Sequence, residues 1–367
     1  MNAPAHLRIL AWDHPRATRP LQACAAEWGR RTGVRVEVVT RSLSAFGDEV
    51  PAEDPADIVL IDHPHIGVAA HQGSILALDD LIPADVRVEV ELESVGVSQS
   101  TYSYRGTTWA LAIDGACQAL AFNPEQASGR DAPTTWAEVL RLSQDQPGSV
   151  VLPLHPAHAV SALLSILAGH DLAFGGPILA PPEVLVEAVA TLSHIAAAGD
   201  RAALDWEPPE VLERLAKGEF ACVPLTYAYV GYDVEWHSAP SLVAGGRPGS
   251  ILGGVGAAVL AGTADPEGAA AFAGWLATRS TQRDLVLPNG GQPASRAAWS
   301  TPGFDPMFPA VLATIEVAAA RPNLPWWPDF QLAAGELLNK GFANGATPHD
   351  LADQVSAAHL SHREDTL

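Results

Sequence analysis

Apolar runs of strand length alternate with stretches of helical spacing along the first part of the chain. Residues 7–12 and 34–39 are short apolar runs, and residues 18–32 between them carry apolar side chains at helical spacing. Gly33 directly follows the helical stretch, at the position where a glycine commonly ends a helix. This order predicts a β-α-β unit, in which the two strands are parallel and the crossover is right-handed.

The same alternation extends through the rest of the sequence. An apolar run at residues 57–62 precedes a helical stretch that Gly73 closes, and Thr135 and Glu138 have the spacing of a helix capping box. Periodicity and turn residues predict further helices at 134–145, 158–169, 182–198 and 266–278, a strand at 150–154, a strand after Gly218 and a Gly-rich strand from residue 252. The pattern as a whole predicts a mixed α/β protein.

The length and the charge of the chain narrow the class of protein. Its 367 residues exceed what a single compact core usually holds, so we expect two domains. With 48% hydrophobic residues the chain has a globular composition. Its net charge of −21 disfavours binding to nucleic acid or to an anionic membrane surface. No run of about 18 apolar residues occurs, so we expect no membrane insertion.

Three cysteines, Cys24, Cys117 and Cys222, are widely spaced in the chain. Their number and spacing favour free thiols over a disulfide framework or a zinc site, and nothing in the sequence predicts a cofactor. The N-terminal residues lack a basic stretch followed by an apolar segment, which is the pattern of a signal peptide. As the chain stands we therefore expect a cytoplasmic location, with a periplasmic location as the alternative if a leader has been trimmed.

Several segments follow one another in an order that is typical of one family. Residues 104–123 are YRGTTWALAIDGACQALAFN, and residues 132–138 are APTTWAE. Residues 56–81 combine a strand ending in aspartate with a Leu-Asp-Asp-Leu segment, and residues 291–296 contain Gly, Pro and Arg in that order. Taken together, this order resembles the extracellular solute-binding proteins (family 1) of ABC importers.

The resemblance implies a fold and a mode of action. The fold is the type II periplasmic-binding-protein fold, with two α/β lobes, each a mostly parallel sheet flanked by helices, and a hinge between them. Lobe 1 would comprise residues 1–112 and 252–306, and lobe 2 would comprise residues 113–251 and 307–367. Such a protein closes its lobes on a small polar ligand without covalent chemistry, so we expect no enzyme activity. The resemblance also implies a monomer that delivers its ligand to an ABC permease.

Polar and aromatic residues at predicted strand ends make up the candidate ligand site, because ligands of open α/β sheets bind beyond the carboxyl ends of the strands. The candidates are strand-end residues, second-lobe aromatics and two glycines: Trp12, Asp13, His14, Asp62, His63, His65, Asp114, Tyr227, Tyr229, Gly253, Gly254, Trp326 and Trp327. Aromatic faces beside carboxylates suit a carbohydrate or polyol, and they also suit a cationic ligand. An anionic ligand is less favoured, because Arg16, Arg296 and Arg321 are the few cations near these motifs.

Four alternatives stay open at this point. The same fold would suit a cytoplasmic sensor or carrier of a ligand. His63 and His65, with His14, suggest a metal cluster, although we expect no metal because no further ligand spacing supports one. Cys117 near the predicted crossover suggests a thiaminase-like enzyme, whereas a buried apolar cysteine is the simpler interpretation, and we predict no catalytic residue. Asp62 is explained equally well as the cap of the helix that follows it.

Overall fold

The computed structural model describes residues 6–42 and 55–364 of the chain. Residues 1–5, 43–54 and 365–367, which the expected lobes include, lie outside this part. The strands that it describes are β1 His6–Trp12, β2 Arg35–Arg41, β3 Ile58–Ile61, β4 Ser103–Tyr104, β5 Thr107–Thr108, β6 Leu111–Phe122, β7 Cys222–Tyr227, β8 Glu235–His237 and β9 Leu252–Val259.

Helices lie between and after these strands in the order of the chain. They are α1 Pro15–Thr32, α2 Ile66–Gln72, α3 Ala84–Glu93, α4 Trp136–Asp145, α5 Pro156–Ala168, α6 Pro182–Ala198, α7 Pro208–Ala216, α8 Pro266–Ala277, α9 Arg279–Thr281, α10 Arg296–Trp299, α11 Met307–Ile315, α12 Trp327–Asn344 and α13 Pro348–Glu364. None of the helices in the described part of the chain combines the length and the apolar character that a membrane span needs.

The chain divides into two compact units, of which unit 1 consists of Met1–Ala116, Gly253–Asp305 and Asn323–Pro325. Its strands follow the order β2-β1-β3-β9-β6, with the first half of β6 at the end of this order. Strand β1 is parallel to β2 and to β3, which confirms the predicted β-α-β unit, and β9 is antiparallel to β3. Apolar side chains of β1, α1 and α8 form the main core of this unit.

Unit 2 consists of Cys117–Leu252, Pro306–Pro322 and Trp326–Leu367. The second half of β6 pairs with β7 and with β8, both in antiparallel orientation. Helix α5 packs against α6 and α12, and α13 packs against both α12 and α6. Residues 159–168 of α5 are all buried, so this helix lies at the centre of the helical part of unit 2.

Local sequence signals predict several helix ends correctly. Gly33 ends α1 in the left-handed conformation with a φ of 77°, and its N–H donates to the carbonyl of Gly29. The Thr135 side chain accepts a hydrogen bond from the Glu138 N–H, and the Glu138 carboxylate accepts one from the Thr135 N–H. The predicted capping box is therefore confirmed, since both reciprocal bonds form.

The sheets differ from the expectation in two places. Residues 150–154, all of which are described, form no strand, and Val150 makes only an isolated bridge to Cys222. The pairing starts at this bridge, where the Val151 N–H donates to the Cys222 carbonyl, and it does not extend past Pro153, which has no N–H to donate. The pairs that β6 makes in unit 2 are antiparallel, whereas the resemblance implies mostly parallel lobes. Because β6 runs into unit 2 from unit 1, no local β-α-β crossover sets its direction.

Helix α3 forms despite a sequence that alternates valine or leucine with charged residues over residues 86–93. Such alternation is typical of a strand, because successive strand side chains point to opposite faces. A helix cannot gather alternating apolar residues on one face, and α3 buries only Val90. Val88 and Leu92 are 57% and 75% exposed as a consequence.

Candidate solute-binding site

Strand β1 ends in three of the predicted site residues. Trp12 is buried, Asp13 is exposed and His14 is half-buried at the start of α1. The Nδ1 atom of His14 accepts a hydrogen bond of 3.1 Å from the Arg16 N–H and so caps the helix. Burial, followed by the charges of Arg16 and Arg19, lowers the pKa of His14 to about 4. The ring is therefore neutral at pH 7, as an accepting Nδ1 requires.

The residues that follow β3 lie in a short helical turn. The Asp62 carboxylate accepts a hydrogen bond of 2.9 Å from the His63 N–H, so Asp62 caps this turn, which is the alternative that the sequence leaves open. His63 and His65 are both buried, and the His63 ring lies edge-on to Tyr102 at 6.4 Å. Within residues 6–42 and 55–364, no group of three or more His, Cys, Asp or Glu side chains has an arrangement that could hold a metal ion.

Asp114 lies inside β6, not at a strand end, and it forms a buried ion pair with Arg16 of α1. The Arg16 Nε donates to Asp114 Oδ2 at 2.9 Å, and Nη2 donates to the other carboxylate oxygen. Burial raises the pKa of Asp114, and the Arg16 guanidinium opposes that rise. Arg16 also lies 6.0 Å from the centre of the Trp12 ring, and the three side chains line one cavity of unit 1 together with Gln282 and Gln292.

The two predicted glycines lie in β9, next to β6. A Cβ atom on Gly254 would lie 3.0 Å from the carbonyl carbon of Asp114 and closer still to its oxygen. The position requires glycine because two backbones approach closely there. Strand packing thus explains why residue 254 is a glycine. Contact of Gly253 or Gly254 with a ligand stays a prediction.

Tyr227 is the last residue of β7 in unit 2, and Tyr229 lies two residues beyond it. The Tyr227 ring is half-buried and lies edge-on to His158 at 6.2 Å, and His158 lies 6.2 Å from His155. Tyr229 is buried and lies edge-on to Tyr232 at 6.4 Å. Neither histidine is among the site residues predicted from the sequence, although His158 begins the predicted helix 158–169 and His155 lies three residues before it.

Trp326 and Trp327 lie at the start of α12 and are both buried. Their rings pack with Phe330 and with His359 of α13, at centroid distances of 5.1–5.6 Å for the nearest pairs. This packing gives both tryptophans a role in docking the last helix of unit 2. Their contact with a ligand stays a prediction.

A further polar residue, Gln118, lies in β6 and is not among the site residues predicted from the sequence. Strand β6 is buried at all twelve of its positions, and a polar side chain within such a strand needs an explanation. The Gln118 Oε1 accepts a hydrogen bond of 2.6 Å from the Ser165 hydroxyl of α5. The position inside an otherwise apolar run is the signal that points to Gln118.

Cys117 is a buried thiol in the middle of β6. Burial raises the pKa of Cys117 to about 12, although a hydrogen bond with Ser250 opposes the rise. The thiolate is the nucleophilic form of cysteine, and the raised pKa keeps this residue in the thiol form at neutral pH. The surroundings of Cys117 therefore match the apolar interpretation and not the thiaminase-like one.

The His158 side chain should make the stability of unit 2 depend on pH. Burial, with the neighbouring charges of His155 and Arg321, lowers the pKa of His158 to about 3, below the value of about 6.5 expected in the unfolded chain. Between these values the unfolded state binds more protons, so stability falls as the pH falls from 6.5 towards 3. From pH 7 to pH 5 this residue should cost about 2 kcal/mol.

Urea unfolding of the wild type and of His158→Gln at both pH values measures this effect. The variant should lose about 2 kcal/mol less than the wild type between pH 7 and pH 5, because glutamine does not titrate. Equal losses in the two proteins would show that His158 is not held neutral by its surroundings.

Solved structures of similar fold come from several bacteria. A solute-binding protein of Thermotoga lettingae with bound α-D-tagatose has a TM-score of 0.81 and 15% identity, covering 98% of this chain and 100% of that one. An Agrobacterium radiobacter protein with ribitol has a TM-score of 0.78 and 21% identity, covering 97% and 98%. The maltose-bound MalE3 of T. maritima has a TM-score of 0.78 and 14% identity, covering 99% and 100%. The fold is thus the two-lobed periplasmic-binding-protein fold.

The family follows from a sequence match. The family described as "Bacterial extracellular solute-binding protein" matches residues 23–305. This match covers most of the chain, so the chain belongs to that family, whose members bind solutes and are not enzymes. No match is found among curated proteins.

Proposed function

We propose that the protein is the substrate-binding component of an ABC importer and that its solute is a carbohydrate or polyol. The observation that carries the proposal is the family match over residues 23–305. The ligand class has separate support, because the similar proteins named above are bound to tagatose, ribitol and maltose. Aromatic rings beside hydrogen-bonding side chains, present in both units, suit ligands of this class.

Units 1 and 2 are proposed to act as the two lobes of the binding protein. A ligand that binds the closed arrangement better than the open one shifts the population towards closure, by no more than its difference in affinity. The solute contacts are proposed to come from the candidate residues named in the sequence analysis. They are Trp12, Asp13, His14, Asp62, His63, His65, Asp114, Gly253 and Gly254 in unit 1, and Tyr227, Tyr229, Trp326 and Trp327 in unit 2.

Thermal unfolding in the presence of maltose, ribitol and D-tagatose tests the proposal. A solute at a hundredfold excess over its Kd stabilises the folded state by about 2.7 kcal/mol, which should raise the melting temperature by about 5 °C. Spermidine and thiamine serve as cationic comparisons, and the compounds are recovered afterwards and analysed by mass spectrometry. A shift with the cations alone, or consumption of a compound, would contradict the proposal.

The protein is further proposed to act outside the cytoplasm, as a monomer that delivers solute to an ABC permease. The support for this is that its family is extracellular. Fractionation of cells that express the complete gene tests the location. Recovery in the cytoplasmic fraction alone would favour the sensor or carrier that the sequence leaves open.

A further inference from the structure

Strand β6 and helix α5 bring five polar or aromatic side chains of unit 2 together, and we call this set the α5 seam: Gln118, His155, His158, Ser165 and Tyr227. Gln118 and Tyr227 are direct partners across β6 and β7, so their side chains leave the same face of the sheet. His158 and Ser165 are seven residues apart and share one face of α5. Ser165 bonds Gln118, and the His158 ring meets the Tyr227 ring, so the helix face lies against that strand pair.

The Ser165 hydroxyl occupies the oxygen of the Gln118 amide. The Ile251 N–H donates to Ser165 Oγ at 3.0 Å, and the Ser165 hydroxyl donates to Gln118 Oε1 at 2.6 Å. The amide oxygen therefore faces Ser165 and the NH2 group points elsewhere. Gln118 is completely buried, and its Nε2 has no hydrogen-bond partner within the described residues. A buried donor of this kind calls for an acceptor atom that is not part of the described chain.

The two histidines of the seam add hydrogen-bonding groups. The Nδ1 atoms of His155 and His158 are buried and have no partner in the part of the chain that the structure describes. Because the pKa of His158 is lowered to about 3, its imidazole is neutral at pH 7. A neutral imidazole offers one N–H donor and one lone pair, which is the combination that a hydroxyl group can satisfy.

The charges near the seam disfavour a cation. Burial contributes most to the lowered pKa of His158, and the charged groups that act on it, His155 and Arg321, both oppose a further positive charge. Arg321 is itself buried and donates to Gln331 Oε1 at 3.3 Å. An ammonium group at the seam would meet the same burial and the same repulsion. A hydroxyl oxygen would meet neither, and a carboxylate would meet the burial but not the repulsion. Either acceptor would satisfy the Gln118 amide.

We propose that the α5 seam is where unit 2 binds the solute, and that it takes an end of the solute that carries oxygen acceptors, hydroxyl or carboxylate, and no positive charge. In this arrangement Gln118 Nε2 donates to a solute oxygen, His158 exchanges a hydrogen bond with a hydroxyl, and the Tyr227 ring covers an adjacent apolar face. The inference rests on the proposed function and narrows it, because it removes the cationic ligands that the sequence leaves open.

Titration calorimetry with matched probes tests the charge preference. The probes are ribitol, D-tagatose, their 1-amino-1-deoxy analogues and ribonate, all measured at pH 7. Each amine should bind at least about tenfold more weakly than its parent, a difference of about 1.4 kcal/mol. Ribonate separates the two oxygen sources, because tighter binding than ribitol would indicate a carboxylate end and weaker binding a hydroxyl end. An amine that binds as tightly as its parent would overturn the proposal.

Two variants test the residues themselves. Gln118→Met and His158→Phe should each raise the Kd of the bound neutral probe about tenfold, measured well below the melting temperature of each variant. His194→Phe is the matched control, because His194 lies on α6 outside the seam and also has a buried ring nitrogen without a partner among the described residues. If His158→Phe fails to fold, Gln118→Met decides.

The outcomes separate this inference from the proposed function. If the wild type binds neutral probes and neither seam variant weakens that binding, the proposed role of the α5 seam is wrong and the proposed function stands. Gln118 would then hold only an internal water. If the wild type binds none of the probes, both the α5 seam and the proposed function are contradicted. Weaker probe binding by the two seam variants, with unchanged binding by His194→Phe, would support both the α5 seam and the proposed function.

Discussion

Replacing Gly67 with alanine is expected to destabilise unit 1 by at least about 3 kcal/mol. Gly67 lies in α2, and a Cβ atom there would lie 2.8 Å from the carbonyl carbon of Asn323 and closer still to its oxygen. Side chains essentially never approach a backbone atom so closely, so the two backbones would have to separate. The Asn323 side chain opposes this, because its Nδ2 donates to the carbonyls of Thr101 at 3.3 Å and Ser103 at 2.7 Å.

Thermal unfolding of Gly67→Ala beside the wild type measures this effect. The melting temperature should fall by at least about 6 °C. Gly262→Ala is the control, because a Cβ atom on Gly262 meets nothing within 4 Å, and its effect should stay within about 0.5 kcal/mol. A Gly67→Ala protein as stable as the wild type would mean that segment 323–325 does not lie against α2 as described.

Features that depend on a few neighbouring residues could be predicted from the sequence. The capping box of Thr135 and Glu138 is an example, because its two hydrogen bonds span only three positions. The end of α1 at Gly33 is another, since the left-handed conformation there favours glycine. The parallel pairing of β1 and β2 also follows from the order of short elements along the chain.

Features that depend on the environment of a segment could not be predicted in the same way. Residues 86–93 have the alternation of a strand, yet they form most of α3. A strand is stabilised by packing against neighbouring strands, and the local sequence does not show whether such neighbours are present. Residues 150–154 are apolar and buried, but burial alone does not make a strand when Pro153 cannot donate a hydrogen bond.

The site depends on contacts between residues that are far apart in the chain. Arg16 and Asp114 are separated by 98 positions, and Ser165 and Gln118 by 47. Their chemistry is visible in the sequence only as polar residues in unexpected places, such as Gln118 within an apolar run. Which partner each residue takes is decided by tertiary packing, so a list of strand-end residues names candidates without assigning their roles.

Replacing Asp114 with asparagine is expected to destabilise unit 1 by about 3–5 kcal/mol, the usual cost of breaking a buried ion pair from one side. The side chains of Arg16 and Asp114 are only 5% and 9% exposed, and the guanidinium contacts both carboxylate oxygens. Asparagine keeps the shape and one acceptor of the side chain but removes its charge. The Arg16 guanidinium then stays out of water and loses the counter-charge of Asp114, which is the costly change.

Two comparisons separate the lost charge from other effects of the substitution. The double variant Arg16→Met with Asp114→Leu should be more stable than Asp114→Asn, because it leaves no buried charge unmatched. Asp145→Asn should cost no more than about 1 kcal/mol, because Asp145 pairs with Arg130 at the surface, where the two side chains are 45% and 43% exposed. A double variant less stable than Asp114→Asn would instead mean that packing outweighs charge.

Solute affinity decides whether Asp114 serves the fold alone. Both carboxylate oxygens of Asp114 bind Arg16, but an ionised carboxylate has further lone pairs that a hydroxyl group could use. If Asp114 only holds Arg16, folded Asp114→Asn should bind the neutral solute with nearly unchanged Kd, measured well below its melting temperature. A Kd that rises about tenfold would place the carboxylate at the solute, because one lost charge-assisted hydrogen bond has about that effect. The same measurement therefore tests the buried ion pair and the predicted role of this residue in binding.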